Sequence, residues 1–168
     1  MSYLVEYYEK IKDGKILVGE ELLTVLEKLI ADMENPRYFY DTRPGKIRIE
    51  FIETFCKHTK SPFNGKPFIL ELWEKAVLEA SYGFKMKDTG LRRFNEVVLL
   101  VARKNGKTTF IAAIDLAEFF LSSGGVDIVC ASNTTEQANI LFEEINNMRE
   151  QSKALSNKKR STKNIFQI

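Results

Sequence analysis

Apolar residues recur at helical spacing through the first half of the chain. Leu22, Leu26, Leu29, Ile30 and Met33 lie on one face of a 3.6-residue repeat and predict a helix over about 19–34. Asn35-Pro36 ends it, because the residue before a proline is pushed out of the helical region. Ile47, Phe51, Ile52 and Phe55 predict a second, shorter helix, and Ser61-Pro62 and Asn64-Gly65 mark the loops that follow. A helix over about 67–82 comes next, with Pro67 suited to its first turn. Trp73 falls on its apolar face with Ile69, Leu72, Ala76, Val77 and Ala80, so periodicity alone makes it a core residue.

The pattern then changes. Residues 95–102, with the run Val97-Val98-Leu99-Leu100, read as a buried strand. Residues 107–122 read as a helix with Phe110, Ile114, Ala117 and Leu121 on one face, stopped by Ser123-Gly124-Gly125. A second strand is expected over 126–131. A helix over 134–150 follows, capped by Thr134 or Asn133, with Ala138, Leu141, Phe142 and Ile145 inward. The fold expected is α/β: an N-terminal helical region over 1–60, then strand, helix, strand and helix over 61–168. No internal repeat is visible.

The loop between the first strand and its helix carries the chemistry. Val101-Ala102-Arg103-Lys104-Asn105-Gly106-Lys107-Thr108-Thr109 joins an apolar strand to an amphipathic helix through Gly-Lys-Thr, the layout of a phosphate-binding P-loop, or Walker A motif. Backbone N–H groups at a helix start point outward, and the helix dipole adds partial positive charge there. Gly106 lets the backbone approach a phosphate, Lys107 supplies a point charge for the β- and γ-phosphates, and the Thr108 hydroxyl can ligate Mg²⁺. The usual pattern has glycine where this chain has Val101. The alternative is a surface turn that happens to hold lysines. Arg103 and Lys104 add cations beside the loop. Arg103 is either a solvated loop charge or a cation for the transferring phosphoryl group.

Composition changes the picture little. Hydrophobic residues are 44% of the 168, enough for a modest core, and the net charge of +2 is too near neutral to argue for nucleic acid. Arg149, Lys153, Lys158, Lys159, Arg160 and Lys163 form a basic cluster, which reads first as a solvated end. Cys56 and Cys130 are far apart and there is one histidine, His58, so neither a disulfide framework nor a zinc site is expected. No signal peptide opens the chain, and the apolar stretch 110–121 contains Asp115 and Glu118 and is too short for a membrane span.

Thr89-Gly90-Leu91-Arg92-Arg93-Phe94, followed by Ala102-Arg103-Lys104-Asn105-Gly106-Lys107-Thr108, resembles the large terminase subunit of tailed bacteriophages, the ATP-driven motor that packages DNA. That family has a deviant P-loop reading A-R-K-N-G-K-[ST], which accommodates Val101. Lys66-Pro67-Phe68-Ile69-Leu70-Glu71-Leu72-Trp73 and Tyr82-Gly83-Phe84 resemble its segment before the P-loop. Val129-Cys130-Ala131-Ser132 with Glu136-Gln137-Ala138 resembles the strand and helix after it. Tyr8 to Gly14, Asp41, Phe51-Ile52-Glu53 and His58 match its N-terminal region more loosely.

The resemblance implies ATP and Mg²⁺ as cofactors. It implies a nucleotide site of Trp73, Glu74, Arg103, Lys104, Asn105, Gly106, Lys107, Thr108 and Thr109, with Thr108 on Mg²⁺ and Arg103 and Lys107 as the catalytic cations. Viral DNA, the portal protein and the small terminase subunit are the partners it implies. The setting would be the cytoplasm of a bacterial host, with a homo-oligomeric ring and no membrane. The family usually has Trp-Gln where Trp73-Glu74 stands, and an ionised glutamate cannot donate to an adenine ring nitrogen.

The family's motor has an ATPase and a nuclease domain and runs to several hundred residues. No apolar strand after the P-loop of this chain ends in Asp-Glu, and no nuclease carboxylate cluster follows. The reading is therefore an N-terminal part of a terminase with an incomplete sheet, binding ATP with little or no turnover. In that ATPase class the P-loop strand and the next strand in sequence are not sheet neighbours. The two strands here are thus expected to pair directly, to stay partly loose, or to be covered by other copies. Two other readings stand beside it: another P-loop protein such as a helicase fragment or small kinase, and a non-enzymatic remnant that serves in assembly.

Overall fold

The computed structural model describes residues 2–156. Lys158, Lys159, Arg160 and Lys163 of the basic cluster lie outside them. Seven helices and a two-stranded antiparallel sheet are formed among the described residues: α1 (Tyr3–Lys12), α2 (Glu20–Asp32), β1 (Tyr38–Tyr40), α3 (Arg43–Phe55), α4 (Leu72–Gly83), β2 (Phe84–Met86), α5 (Lys107–Leu121), α6 (Thr135–Gln151) and α7 (Lys153–Ser156). Two compact units interleave along the chain. One is Met1–Ile49 with Leu70–Leu99, and the other is Glu50–Ile69 with Leu100–Ile168.

The first unit is built on α1 packed against α4. Leu4, Tyr7, Leu26, Ala76 and Phe84 form its buried centre, ringed by half-buried residues that include Leu29, Tyr38, Tyr40, Trp73 and Phe94. Phe84 is wholly buried, and the rings of Tyr40, Phe94 and Tyr38 stand 4.7, 6.0 and 6.5 Å from it. Strands β1 and β2 pair Tyr38 with Met86 and Tyr40 with Phe84. Glu79, fully buried on α4, accepts hydrogen bonds from the Ser2 and Tyr40 hydroxyls and from the Tyr3 N–H, and so ties α1 to α4. Gly45 permits close packing there, since a Cβ would come 2.7 Å from the Glu79 Cα.

Helix α4 begins at Leu72 rather than at Pro67. A capping box sets its start: Glu71 is the N-cap, and the Glu74 carboxylate accepts from the Glu71 N–H at 2.8 Å. Residues 67 and 68 stay extended, with Pro67 bridged to Lys57 and the Phe68 N–H bonded to the Cys56 carbonyl at 3.0 Å.

In the second unit α5 packs along α6. Phe110, Ala112, Ala113, Leu116, Ala117 and Met148 are its buried apolar side chains on those helices. Thr134 caps α6, its hydroxyl accepting from the Gln137 N–H at 3.3 Å. The expected strands over 95–102 and 126–131 are not formed. Neither segment has a ladder partner among the described residues, and the two are not hydrogen-bonded to each other. Val98 is 83%, Leu100 97% and Val129 83% exposed. Exposure over 126–131 nonetheless alternates residue by residue, the period of a strand without its sheet.

Candidate functional site

Gly106 is the N-cap of α5, with φ 72° and ψ 6°, and Lys104 two residues earlier has φ 68°. Left-handed backbone suits glycine but is strained for lysine, and such strain persists where the surroundings over-determine it. Left-handed residues in a turn curl successive N–H groups toward one side, a concavity that holds anions. A Cβ on Gly106 would meet nothing within 4 Å, so the mouth of the turn is open. The N–H groups of Lys107, Thr108 and Thr109 open the helix and have no carbonyl one turn back to bond.

Lys107 folds back over the loop. Its ammonium donates to the Val101 carbonyl and, at 3.1 Å, to the Ala102 carbonyl. Asn105 braces the same turn, its amide donating to the Ala102 and Arg103 carbonyls at 3.4 and 3.5 Å. Arg103 and Lys104 are exposed. Lys107 and Thr108 border an open cavity of about 380 Å³ whose other walls are Ile111, Gln137, Ile140 and Leu141. The residues from Arg103 to Thr109 are therefore together in one short arc of exposed and half-buried residues at the start of α5. No group of three or more His, Cys, Asp or Glu side chains among the described residues could hold a metal ion.

Trp73 and Glu74 belong to the first unit. Trp73 packs against the buried centre there. Glu74 is 4% exposed and serves the capping box. Burial pushes its carboxyl up to about 7, against the pull of the Glu71 N–H, while the Glu71 charge raises it further.

Glu144 on α6 had no place in the sequence reading. It is 2% exposed and accepts hydrogen bonds from the hydroxyls of Thr59 at 2.7 Å and Thr109 at 3.2 Å, with the Lys60 ammonium at 3.4 Å. His58 lies in the same neighbourhood. Burial lowers its pKa, and the Glu144 charge works in the opposite direction. The signal was present in the sequence. Leu141, Glu144, Ile145 and Met148 follow the i, i+3, i+4, i+7 spacing of an inward stripe, so Glu144 stands where an apolar residue would pack.

The 89–94 segment folds back along β2. The Met86 N–H bonds the Leu91 carbonyl at 2.8 Å and the Arg93 N–H bonds the Phe84 carbonyl at 3.0 Å. Arg93 pairs with Asp32 at 2.6 Å and lies 3.9 Å over the Tyr38 ring. Burial raises the Asp32 pKa, but the hydrogen bonds from Arg93 and Asn35 prevail and hold it below the ordinary carboxylate value.

The family model of the terminase large subunit, ATPase domain, matches residues 72–167, more than half of the chain. The chain belongs to that family. No curated protein and no solved structure matches it. The terminase match begins at the first residue of α4 and takes in the 89–94 fold-back, the 101–109 loop, α5 and α6. No helix among the described residues is long and apolar enough to cross a membrane.

Proposed function

We propose that this terminase chain binds Mg·ATP at the 101–109 loop, as the nucleotide-binding part of a bacteriophage DNA-packaging ATPase. The observation that carries the reading is the pair of left-handed residues, Lys104 and Gly106, at the start of α5 with Lys107 drawn over the same turn. On this reading the N–H groups of residues 104–108 and the Lys107 ammonium hold the β- and γ-phosphates. The Thr108 hydroxyl faces Mg²⁺, and Arg103 supplies the further cation beside the γ-phosphate. ATP hydrolysis is the chemistry the loaded site would serve. The base-contact role of Trp73 and Glu74 rests on the resemblance alone. Viral DNA, the portal protein and the small terminase subunit are the proposed partners, in the cytoplasm of the bacterial host.

Calorimetric titration with Mg·ATP, beside a Lys107→Ala variant, tests the reading. Binding weakened about ten- to a hundredfold in the variant is expected for the loss of charge-assisted hydrogen bonds. Equal affinity in both proteins overturns it. A second reading, an assembly role without nucleotide chemistry, is favoured by the exposed Val98, Leu100 and Val129. It requires concentration-dependent association that Mg·ATP leaves unchanged.

A further inference from the structure

We infer that Glu144 is a positioning residue for the phosphate loop: its carboxylate holds the Thr109 hydroxyl and thereby fixes the rotation of the first turn of α5. This rests on the nucleotide reading above. A carboxylate taken out of water is costly unless its oxygens are satisfied, and an apolar side chain at this place in the α6 stripe would pack without that cost. What the carboxylate provides is a specific pair of part-buried contacts. Its Oε1 takes both threonine hydroxyls, Thr59 at 2.7 Å and Thr109 at 3.2 Å. The Lys60 contact at Oε2 is the weak one, since that side chain is 70% exposed.

Thr109 is the third residue of α5, and the loop before it, from Ala102 to Gly106, is exposed. A first turn that follows an exposed loop frays readily. Thr109 does not return its hydroxyl to its own helix but gives it to α6. Successive residues of a helix are about 100° apart around its axis, so fixing Thr109 sets the direction of Thr108 and Lys107 as well. A carboxylate beside a helix N-terminus is also favourably placed in the helix dipole.

The test compares Mg·ATP affinity of the whole chain in four single variants and one double variant. Glu144→Ala and Thr109→Val should each weaken binding about tenfold, and together no more than either alone, as for two halves of one contact. Glu144→Gln, which keeps an acceptor oxygen, should recover most of the affinity. Thr59→Val should lower the melting temperature yet leave affinity within about twofold. Amide hydrogen exchange over residues 107–111, measured without nucleotide, should quicken in Glu144→Ala and Thr109→Val but not in Glu144→Gln. Losses that multiply in the double variant, a Thr59→Val loss equal to that of Thr109→Val, or unchanged exchange in Thr109→Val would each overturn the inference. If the unaltered chain binds no Mg·ATP, the nucleotide reading fails, and the exchange measurement alone decides the role of Glu144. If Glu144→Ala fails to fold, Thr109→Val and Glu144→Gln carry the comparison.

Discussion

The two units meet the same demand in opposite ways. In the first, the two short strands have partners: β1 pairs with β2, and residues 91–93 fold back onto β2. In the second, the segment of strand character at 126–131 has none among the described residues, and Val129 stands in solvent; residues 95–102, divided in sequence between the two units, are likewise unpaired there, with Val98 and Leu100 exposed. The difference follows from where hydrogen bonds are made. A helix satisfies its backbone four residues away, so α5 and α6 form from local sequence, whereas a strand waits for another segment. The first unit brings its partners within residues 38–93. The 101–109 loop sits at the start of a well-formed helix and at the end of a segment unpaired among the described residues.

The contrast is broken most severely at Phe84. Phe84→Ala removes a wholly buried ring from the centre of the first unit and should destabilise it by about 3–5 kcal/mol, read from urea unfolding. A loss under about 1 kcal/mol would mean that this unit is not the better-packed of the two. Next comes the Arg93–Asp32 pair. Arg93→Leu leaves Asp32 buried without its cation and should cost about 2–4 kcal/mol, with Asp32→Asn smaller. Near-zero values would show that residues 89–94 do not lock the fold-back.

Glu74 sharpens the comparison through pH. Its carboxyl titrates at about 7 in the folded chain, above its ordinary 4.5, so the folded state holds the proton more tightly than the unfolded one. Stability should fall as pH rises from about 4.5 to about 7 and level off above that. Glu74→Gln keeps the capping box and removes the titration. Its melting temperature should equal that of the unaltered chain near pH 4.5 and exceed it at pH 8. An advantage that shrinks with rising pH contradicts the assignment. The smallest effect belongs to Leu100→Lys, which should change stability by no more than about 0.5 kcal/mol and reduce self-association in sedimentation, because the side chain is 97% exposed.

Local pattern made the later helices legible. The helix expected over 107–122 is Lys107–Leu121, and that over 134–150 is Thr135–Gln151. The start of α4 was misplaced by five residues, because Pro67 fits a first turn while the reciprocal Glu71–Glu74 hydrogen bonds set the actual one. Strands β1 and β2 were invisible: Tyr-Phe-Tyr and Phe-Lys-Met are three residues each, too short for a period to show. The strand character of 126–131 was legible in its alternation, but pairing is not a property of one segment. Arg93 was noticed as part of a family pattern, and its work for Asp32 and Tyr38 was not. Glu144 is harder to see, because a glutamate in a helix is ordinarily solvated and only its place in the stripe with Leu141, Ile145 and Met148 marks it as inward.

The Lys107 ammonium already has partners, the Val101 and Ala102 carbonyls. The loop is thus its own resident competitor. A phosphate that recruits this lysine replaces two peptide oxygens rather than filling a void, so the affinity measured is the difference between two sets of hydrogen bonds. On the proposed nucleotide reading, weak binding of single phosphates and sharp preference for longer, more highly charged ones would be the arithmetic of such an exchange.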